Sequence, residues 1–371
     1  MTLKDIPKWT AAQANEWFKT HPWYCGFNFL PSTAVNFLDM WQAYSFDKDC
    51  IDRELSWAAN VGFNATRVNL HFLVWKHDRD GLIERMNWFL NVANQKGITT
   101  IFVPFDDCGF CGDEPIYGGQ RDPIDGVHNS RAVASPGRAA VMDRTQWPMF
   151  KAYLQDIITC FRADPRVLFW DLYNEPGNRM IFLADDYRLA DPDLEIFSRE
   201  LMVHSFQWAR ECNPEQPLTV GAWQTAAYGS AAPDFDNETD RLALELSDIV
   251  TFHAYLSRDR VQRCIETLTR FDRPIFLTEW MARAVGSSID TQMDLFFDHH
   301  IGCFNWGLVK GKTQTDLPWP RPLLEQHGLI KEDCPWFHDI FWPDGRPYKE
   351  AEIQIIQKLT TAQHGRVSAG E

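Results

Sequence analysis

The stretch Val167-Leu-Phe-Trp-Asp-Leu-Tyr-Asn-Glu-Pro-Gly177 decides the fold. It is an apolar run too short for a free-standing helix, bounded by Asp164-Pro165 before it and Pro176-Gly177 after it. That reads as a strand buried on both faces in a parallel sheet. The ladder stops at Pro176, which has no N–H to give, so Asn174 and Glu175 stand at the strand's carboxyl end. In a parallel barrel the loops converge on a substrate at that end, which makes Glu175 a candidate catalyst. A second run, Pro274-Ile-Phe-Leu-Thr-Glu-Trp280, has the same construction and delivers Glu279.

Working outward, six more short apolar runs read as strands, at 24–29, 64–70, 98–105, 217–223, 248–255 and 302–308. Helical spacing is found at about 10–18, behind an N-cap at Thr10, and at 46–61, 82–95, 147–161, 194–212, 288–300 and 349–359. Strands alternate with helices and no composition break marks a linker. The expected architecture is therefore a single (β/α)8 TIM barrel over residues 1–371, with the short helix preceding it. Two stretches without periodicity, from Cys108 to Thr145 and from Lys310 to Tyr348, follow strands three and eight. Loops of that length in a compact domain are usually functional, and these read as walls of a site.

Several side chains are placed conspicuously. Arg67 lies inside an apolar strand, so its charge must be paired or face a polar cavity. His253 and Tyr255 are two apart on a strand and point to the same side. Asn28 ends the first strand, and Asp106 and Asp107 follow the third. Trp223, Trp280 and Trp306 stand at strand ends where indole faces can stack on a ring. Arg121 and Arg138, in the first long loop, are candidates for hydroxyl or acid contacts.

The net charge of −15 argues against nucleic acid and anionic membrane as partners, because the phosphate attraction that dominates such binding would be repulsive. It suits a neutral substrate. The N-terminus lacks the apolar core of a secretory signal and no run reaches the length of a membrane span, which points to a cytoplasmic protein unless a leader has been removed. Nine cysteines, an odd number scattered through predicted elements, fit reduced thiols. Cys108-Gly-Phe-Cys111 has metal-pair spacing, but no second pair completes a zinc site, so a packing role in the loop is expected. No metal and no cofactor are expected, and oligomeric state is not legible.

Asn-Glu-Pro after one hydrophobic strand, with Thr-Glu-Trp ending another about a hundred residues later, resembles the retaining glycoside hydrolases of clan A, built on a TIM barrel. The resemblance is nearest to glycoside hydrolase family 5, the cellulase and mannanase type. It implies that Glu175 is the acid/base and Glu279 the nucleophile, with Arg67 bracing the carboxylates and Tyr255 hydrogen-bonded to the nucleophile. It further implies that His253 contacts substrate and that Trp306 floors the subsite of the sugar being cleaved. Many relatives carry His at the end of strand three, where this chain has the Asp106-Asp107 pair, and that departure leaves the sugar open.

Acetal hydrolysis by double displacement needs two carboxyl groups about 5–5.5 Å apart in different protonation states. Asn174 would then meet the sugar 2-hydroxyl. The expectation is a retaining β-glycoside hydrolase that acts on short β-linked oligosaccharides or glycosides from a chain end. The alternatives are an endo-acting β-glycanase and a catalytically silent carbohydrate-binding barrel.

Overall fold

The computed structural model describes residues 7–328, 330–333 and 336–369, with side chains described as far as Gln363 in the last helix. The eight apolar runs become β1 (Cys25–Asn28), β2 (Ala65–Asn69), β3 (Thr99–Val103), β4 (Val167–Asp171), β5 (Leu218–Thr219), β6 (Val250–His253), β7 (Ile275–Trp280) and β8 (Gly302–Asn305). They form one sheet in the order β6-β7-β8-β1-β2-β3-β4-β5, and every pair is parallel. A parallel bridge between Ala222 and Phe252 joins the two edges. Through it the Ala222 N–H donates to the Thr251 carbonyl at 3.0 Å and the His253 N–H to the Ala222 carbonyl at 2.8 Å. The result is the (β/α)8 barrel that the strand pattern predicts.

The longer helices are α1 (Ala11–Lys19), α2 (Lys48–Asn60), α3 (Arg79–Gln95), α4 (Trp147–Phe161), α5 (Leu194–Glu211), α6 (Glu238–Leu246), α7 (Arg258–Leu268), α8 (Ile289–Asp298) and α9 (Glu350–Ala369). Caps are local and legible: the Thr10 side chain accepts from the Gln13 N–H, and Asp47 from the Cys50 N–H. α6 and α7 are additions to the helices located from sequence. α7 carried a signal, since Val261, Cys264, Ile265 and Leu268 recur at helical spacing and are all buried.

The barrel interior is layered by polarity. At its amino end Ala65, Ile101, Phe169, Ile249, Phe276 and Phe304 pack together, and Trp17 and Phe18 of α1 close that end against them. A Cβ on Gly302 would lie 2.3 Å from the Phe276 ring, and one on Gly26 would lie 2.4 Å from the Phe304 ring, so those strands are bare where the large rings sit. At the carboxyl end the interior turns polar, with Arg67 and Asp171 paired at 2.8 Å and both side chains fully buried.

The long excursions after β3 and β8 are fastened together at the barrel mouth. The Asn129 N–H donates to the Thr313 carbonyl at 2.8 Å. The Gln314 side chain donates to the Ile124 carbonyl at 2.8 Å and accepts from the Gly126 N–H at 3.1 Å. The loop after β1 joins them, the Lys312 N–H donating to the Ser32 carbonyl at 3.0 Å and Asn36 Nδ2 to the Arg131 carbonyl at 2.8 Å. Because β8, β1, β2 and β3 are consecutive neighbours, these three loops make one continuous barrier on that side of the barrel mouth. A hairpin of Met180–Phe182 with Tyr187–Leu189, not foreseen from sequence, follows β4, and its Phe182 stacks on Phe110 of the first wall at 4.3 Å. Among the described residues, no helix is long and apolar enough to cross a membrane.

Candidate active site

β4 delivers Glu175 by a local device. After Asp171 the chain pairs again, Tyr173 and Asn174 running beside Phe105 and Asp106. Glu175 then adopts φ +44, a left-handed conformation uncommon for a residue with a Cβ, and the chain turns through Pro176-Gly177. The Asp107 carboxylate holds that turn, accepting from the Gly177 N–H at 2.6 Å, from Ser198 Oγ at 2.5 Å and from Tyr173 Oη at 2.8 Å. Asp107 therefore lies behind the rim, where burial raises its carboxyl to about 6, and it does not line the cavity.

Glu175 and Glu279 meet in a cavity of about 390 Å³ at the carboxyl end of the barrel. One carboxylate oxygen of each, with a ring nitrogen of His253, all lie within 4.8 Å of one another. That spacing would admit a metal ion, but Arg67 Nη1 lies 2.8 Å from Glu279 Oε1, and a fixed guanidinium charge there opposes a cation. Tyr255 Oη donates to Glu279 Oε2 at 2.8 Å. His253 Nδ1 lies 2.9 Å from Glu175 Oε1 and 3.6 Å from Glu279 Oε2. Its nearest partner is a carboxylate, so Nδ1 carries the proton, and burial lowers the ring to about 4 and keeps it neutral.

Arg67 is the hub. Its Nε donates to Asp171 at 2.9 Å, Nη1 also donates to Asn28 Oδ1 at 2.8 Å, and Nη2 donates to Asn174 Oδ1 at 2.7 Å. Asn174 Nδ2 in turn donates to Asp106 at 2.9 Å, and Asn69 donates to the other oxygen of Asp106 at 2.9 Å. The two glutamates differ in what surrounds them. Burial pushes both above the ordinary carboxylate range; His253 and Arg67 pull Glu279 back, while hydrogen bonds from Asn178 and Cys108 pull Glu175 back.

The structure thus brings Glu175, Glu279, Asn174, His253, Tyr255, Asp106, Trp223 and Trp306 to the cavity. Arg67 and Asn28 stand beneath it, and Asn28 Nδ2 also ties down the Thr278 carbonyl at 2.8 Å. Trp280 lies on the outer face of β7, 1% exposed, its ring packed edge-on against Phe296 at 4.8 Å. Arg138 is buried and donates to the carbonyls of Asp107, Asn178 and Met180, and Arg121 is an exposed partner of Asp113; neither lines the cavity. Sequence reading missed two neighbours of Glu175 and one of Tyr255. Cys108 Sγ donates to Glu175 Oε2 at 3.2 Å, Asn178 Nδ2 donates to the same oxygen at 2.7 Å, and Trp319 stands at 5.1 Å from the Tyr255 ring. Cys108 and Cys111 are both free thiols. Only the CxxC spacing drew attention to Cys108, and the expectation drawn there was a packing role in the loop, with no part at the carboxyl.

Residues 52–311 match the family model for cellulase, glycosyl hydrolase family 5. No curated protein matches the chain. Among solved structures, GH5_18 of Streptomyces cattleya in complex with Manβ1-4GlcNAc superposes with a TM-score of 0.58 at 15% identity, over 91% of this chain and 80% of that one. The exo-β-1,4-mannosidase of Opitutaceae bacterium strain TAV5 gives 0.59 at 17%, over 98% and 63%. The endo-1,4-β-mannanase of Rhizomucor miehei gives 0.58 at 12%, over 93% and 95%. Identities this low establish a shared fold.

Proposed function

The chain belongs to glycosyl hydrolase family 5, a family of retaining enzymes, and within it we propose an exo-acting β-glycosidase that removes one sugar at a time from the end of short β-linked oligosaccharides or glycosides. The observation that carries the exo reading is the fastening of the loops after β1, β3 and β8, which bars the groove on one side of Glu175 and Glu279. An internal segment of a polysaccharide needs a channel open at both ends; a terminal sugar needs only a pocket, and closure also excludes water.

The proposed chemistry follows from the bonding. Glu279 is the nucleophile: Arg67 and Tyr255 hold its two oxygens and favour the ionised form. Its attack on the anomeric carbon breaks the bond to the leaving oxygen, which takes its proton from Glu175. In the second step Glu175 removes a proton from water as the water displaces Glu279, giving net retention. Neutral His253, donating from Nδ1, orients Glu175 between the two steps. Asn174, fixed by Arg67 and Asp106, faces the sugar's 2-hydroxyl, Trp306 floors the cleaved subsite, and Trp223 offers a further stacking face. Asp106 lines the wall that replaces the histidine of many relatives.

β-Mannosides come first in the test, beside β-glucosides and β-galactosides, because the structural neighbours act on mannosides or hold one. Terminal monosaccharide is expected as the product from the earliest time points; mixed mid-length products from a polysaccharide would overturn the exo reading. Glu175→Ala is expected to lower turnover about a hundred- to ten-thousandfold. Glu279→Ala should be inactive and recover with azide, forming a glycosyl azide of inverted configuration.

A further inference from the structure

Two imidazoles stand in the barred end of the cavity, each with one nitrogen that has no hydrogen-bond partner among the described residues. His128 belongs to the excursion after β3 and His338 to the one after β8, and their ring centroids are 5.3 Å apart. They are 4% and 1% exposed, and both line the cavity. His128 Nδ1 lies 2.7 Å from the Leu317 carbonyl oxygen, and His338 Nδ1 contacts the Met281 carbonyl oxygen. A carbonyl can only accept, so each Nδ1 carries a proton. Burial lowers His128 to about 4 and His338 well below the ordinary range, the latter also because of His128, so both rings are neutral at neutral pH. A neutral ring protonated on Nδ1 has a bare lone pair on Nε2, which accepts and cannot donate. Among the described residues, no donor reaches either Nε2. The His338 ring centroid is 5.5 Å from that of Tyr255, whose hydroxyl holds Glu279. Both rings therefore border the cavity that Glu279 and Tyr255 also line.

We propose that His128 and His338 select the terminal sugar as a pair of obligate acceptors, each taking a hydrogen bond from a different hydroxyl of that ring. The proposal rests on the pocket reading above and specifies its substrate class: a neutral pyranoside with two free hydroxyls at the barred end. Lone pairs repel anions, and a methyl or acetyl ester there has no proton to give. A sugar acylated at either hydroxyl, or carrying a carboxylate in its place, is therefore refused. His327 has a similar Nδ1 bond, to the Leu323 carbonyl at 3.0 Å, but is only partly buried and lies beyond Trp319.

The test is an enzyme–substrate double cycle on the full chain. Each glycone hydroxyl of the best nitrophenyl glycoside is replaced in turn by hydrogen and by fluorine, and kcat/KM is measured on the native protein, His128→Phe and His338→Phe. Fluorine cannot donate, so at two ring positions both replacements should cost roughly ten- to a hundredfold in the native protein. His128→Phe should abolish the loss at one of those positions and His338→Phe at the other; the inductive slowing by fluorine is common to all three proteins and cancels. If one variant does not fold, the other is read alone: a fluorine loss at every ring position as large as in the native protein overturns the proposal. Losses identical in native and variant proteins overturn it equally. Clean terminal release with additive losses would reject the histidines alone, whereas internal cleavage would reject the pocket reading while the cycle still rules on the histidines.

Discussion

Cys108 shares Glu175 Oε2 with Asn178, at 3.2 Å and 2.7 Å, while His253 holds Oε1 at 2.9 Å. Donors to a carboxylate favour its ionised form, so the thiol opposes the upward push of burial. The other charged or titratable groups bearing on Glu175 are Glu279 from β7, Arg67 from β2, Asp106 after β3, Tyr255 after β6 and Asp240 of α6. Removing the thiol while these stay in place raises the pH at which Glu175 ionises. As the proposed proton donor Glu175 must be protonated, so the basic limb of kcat/KM should move upward in Cys108→Ala, with less than about a tenfold loss at the optimum. Cys108→Ser keeps a donor and should keep the limb near its native position. A pH–rate profile in which Cys108→Ala leaves the limb unmoved would show that the thiol does not act on the carboxyl.

The walls depend on how closely two loops approach. A Cβ on Gly311 would lie 2.4 Å from the Ser32 Cα and 2.5 Å from its carbonyl oxygen, backbone atoms that cannot swing aside. Gly311→Ala therefore forces the excursion after β8 away from the loop after β1, next to the bond from the Lys312 N–H to Ser32. The expected result is a fall of about tenfold or more in kcat/KM on a disaccharide glycoside, with internal products from longer chains. The barrel strands themselves should stay assembled, and melting should shift by only a few degrees. Unchanged kinetics with terminal release only would show that the wall does not set the product pattern. Gly302→Ala provides the contrast within a strand, because its Cβ would meet the Phe276 ring in the barrel interior. A stability loss of about 1–3 kcal/mol with little change in product pattern is expected there, read by chemical denaturation.

Across the whole molecule, one buried ion pair couples the last helix to the mouth of the pocket. Arg283, following β7, donates to Glu352 of α9 at 2.9 and 2.6 Å, and its remaining donors reach the carbonyls of His338 and Asp339. Both side chains are 2% exposed. Glu352→Ala leaves the guanidinium buried without its counter-charge, and a loss of about 3–5 kcal/mol is expected by denaturant titration. Because the same guanidinium holds the backbone beneath His338, KM for the glycoside should rise in protein that remains folded. A destabilised variant with native KM would separate the helix from the pocket.

The sequence by itself determined the eight barrel strands, most of the long helices and the two strand-end glutamates. Short apolar runs closed by Pro or followed by polar residues can be satisfied only as buried parallel strands, and a charge such as Arg67 inside one must find partners across the barrel. It also held more than was drawn from it. Neighbouring residues on a strand face opposite ways, so of Asp106 and Asp107, and of Glu279 and Trp280, one member of each pair had to turn from the cavity. Asp107 and Trp280 are those members, the first bracing the Glu175 turn and the second packed on Phe296. What only the tertiary structure decided lies in the loops. Cys108, Asn178, His128, Trp319 and His338 belong to segments without periodicity, and backbone bonds between residues as far apart as Asn129 and Thr313 bring them to one cavity. Local spacing carries no information about such contacts, because the position of each wall is set by the opposing wall.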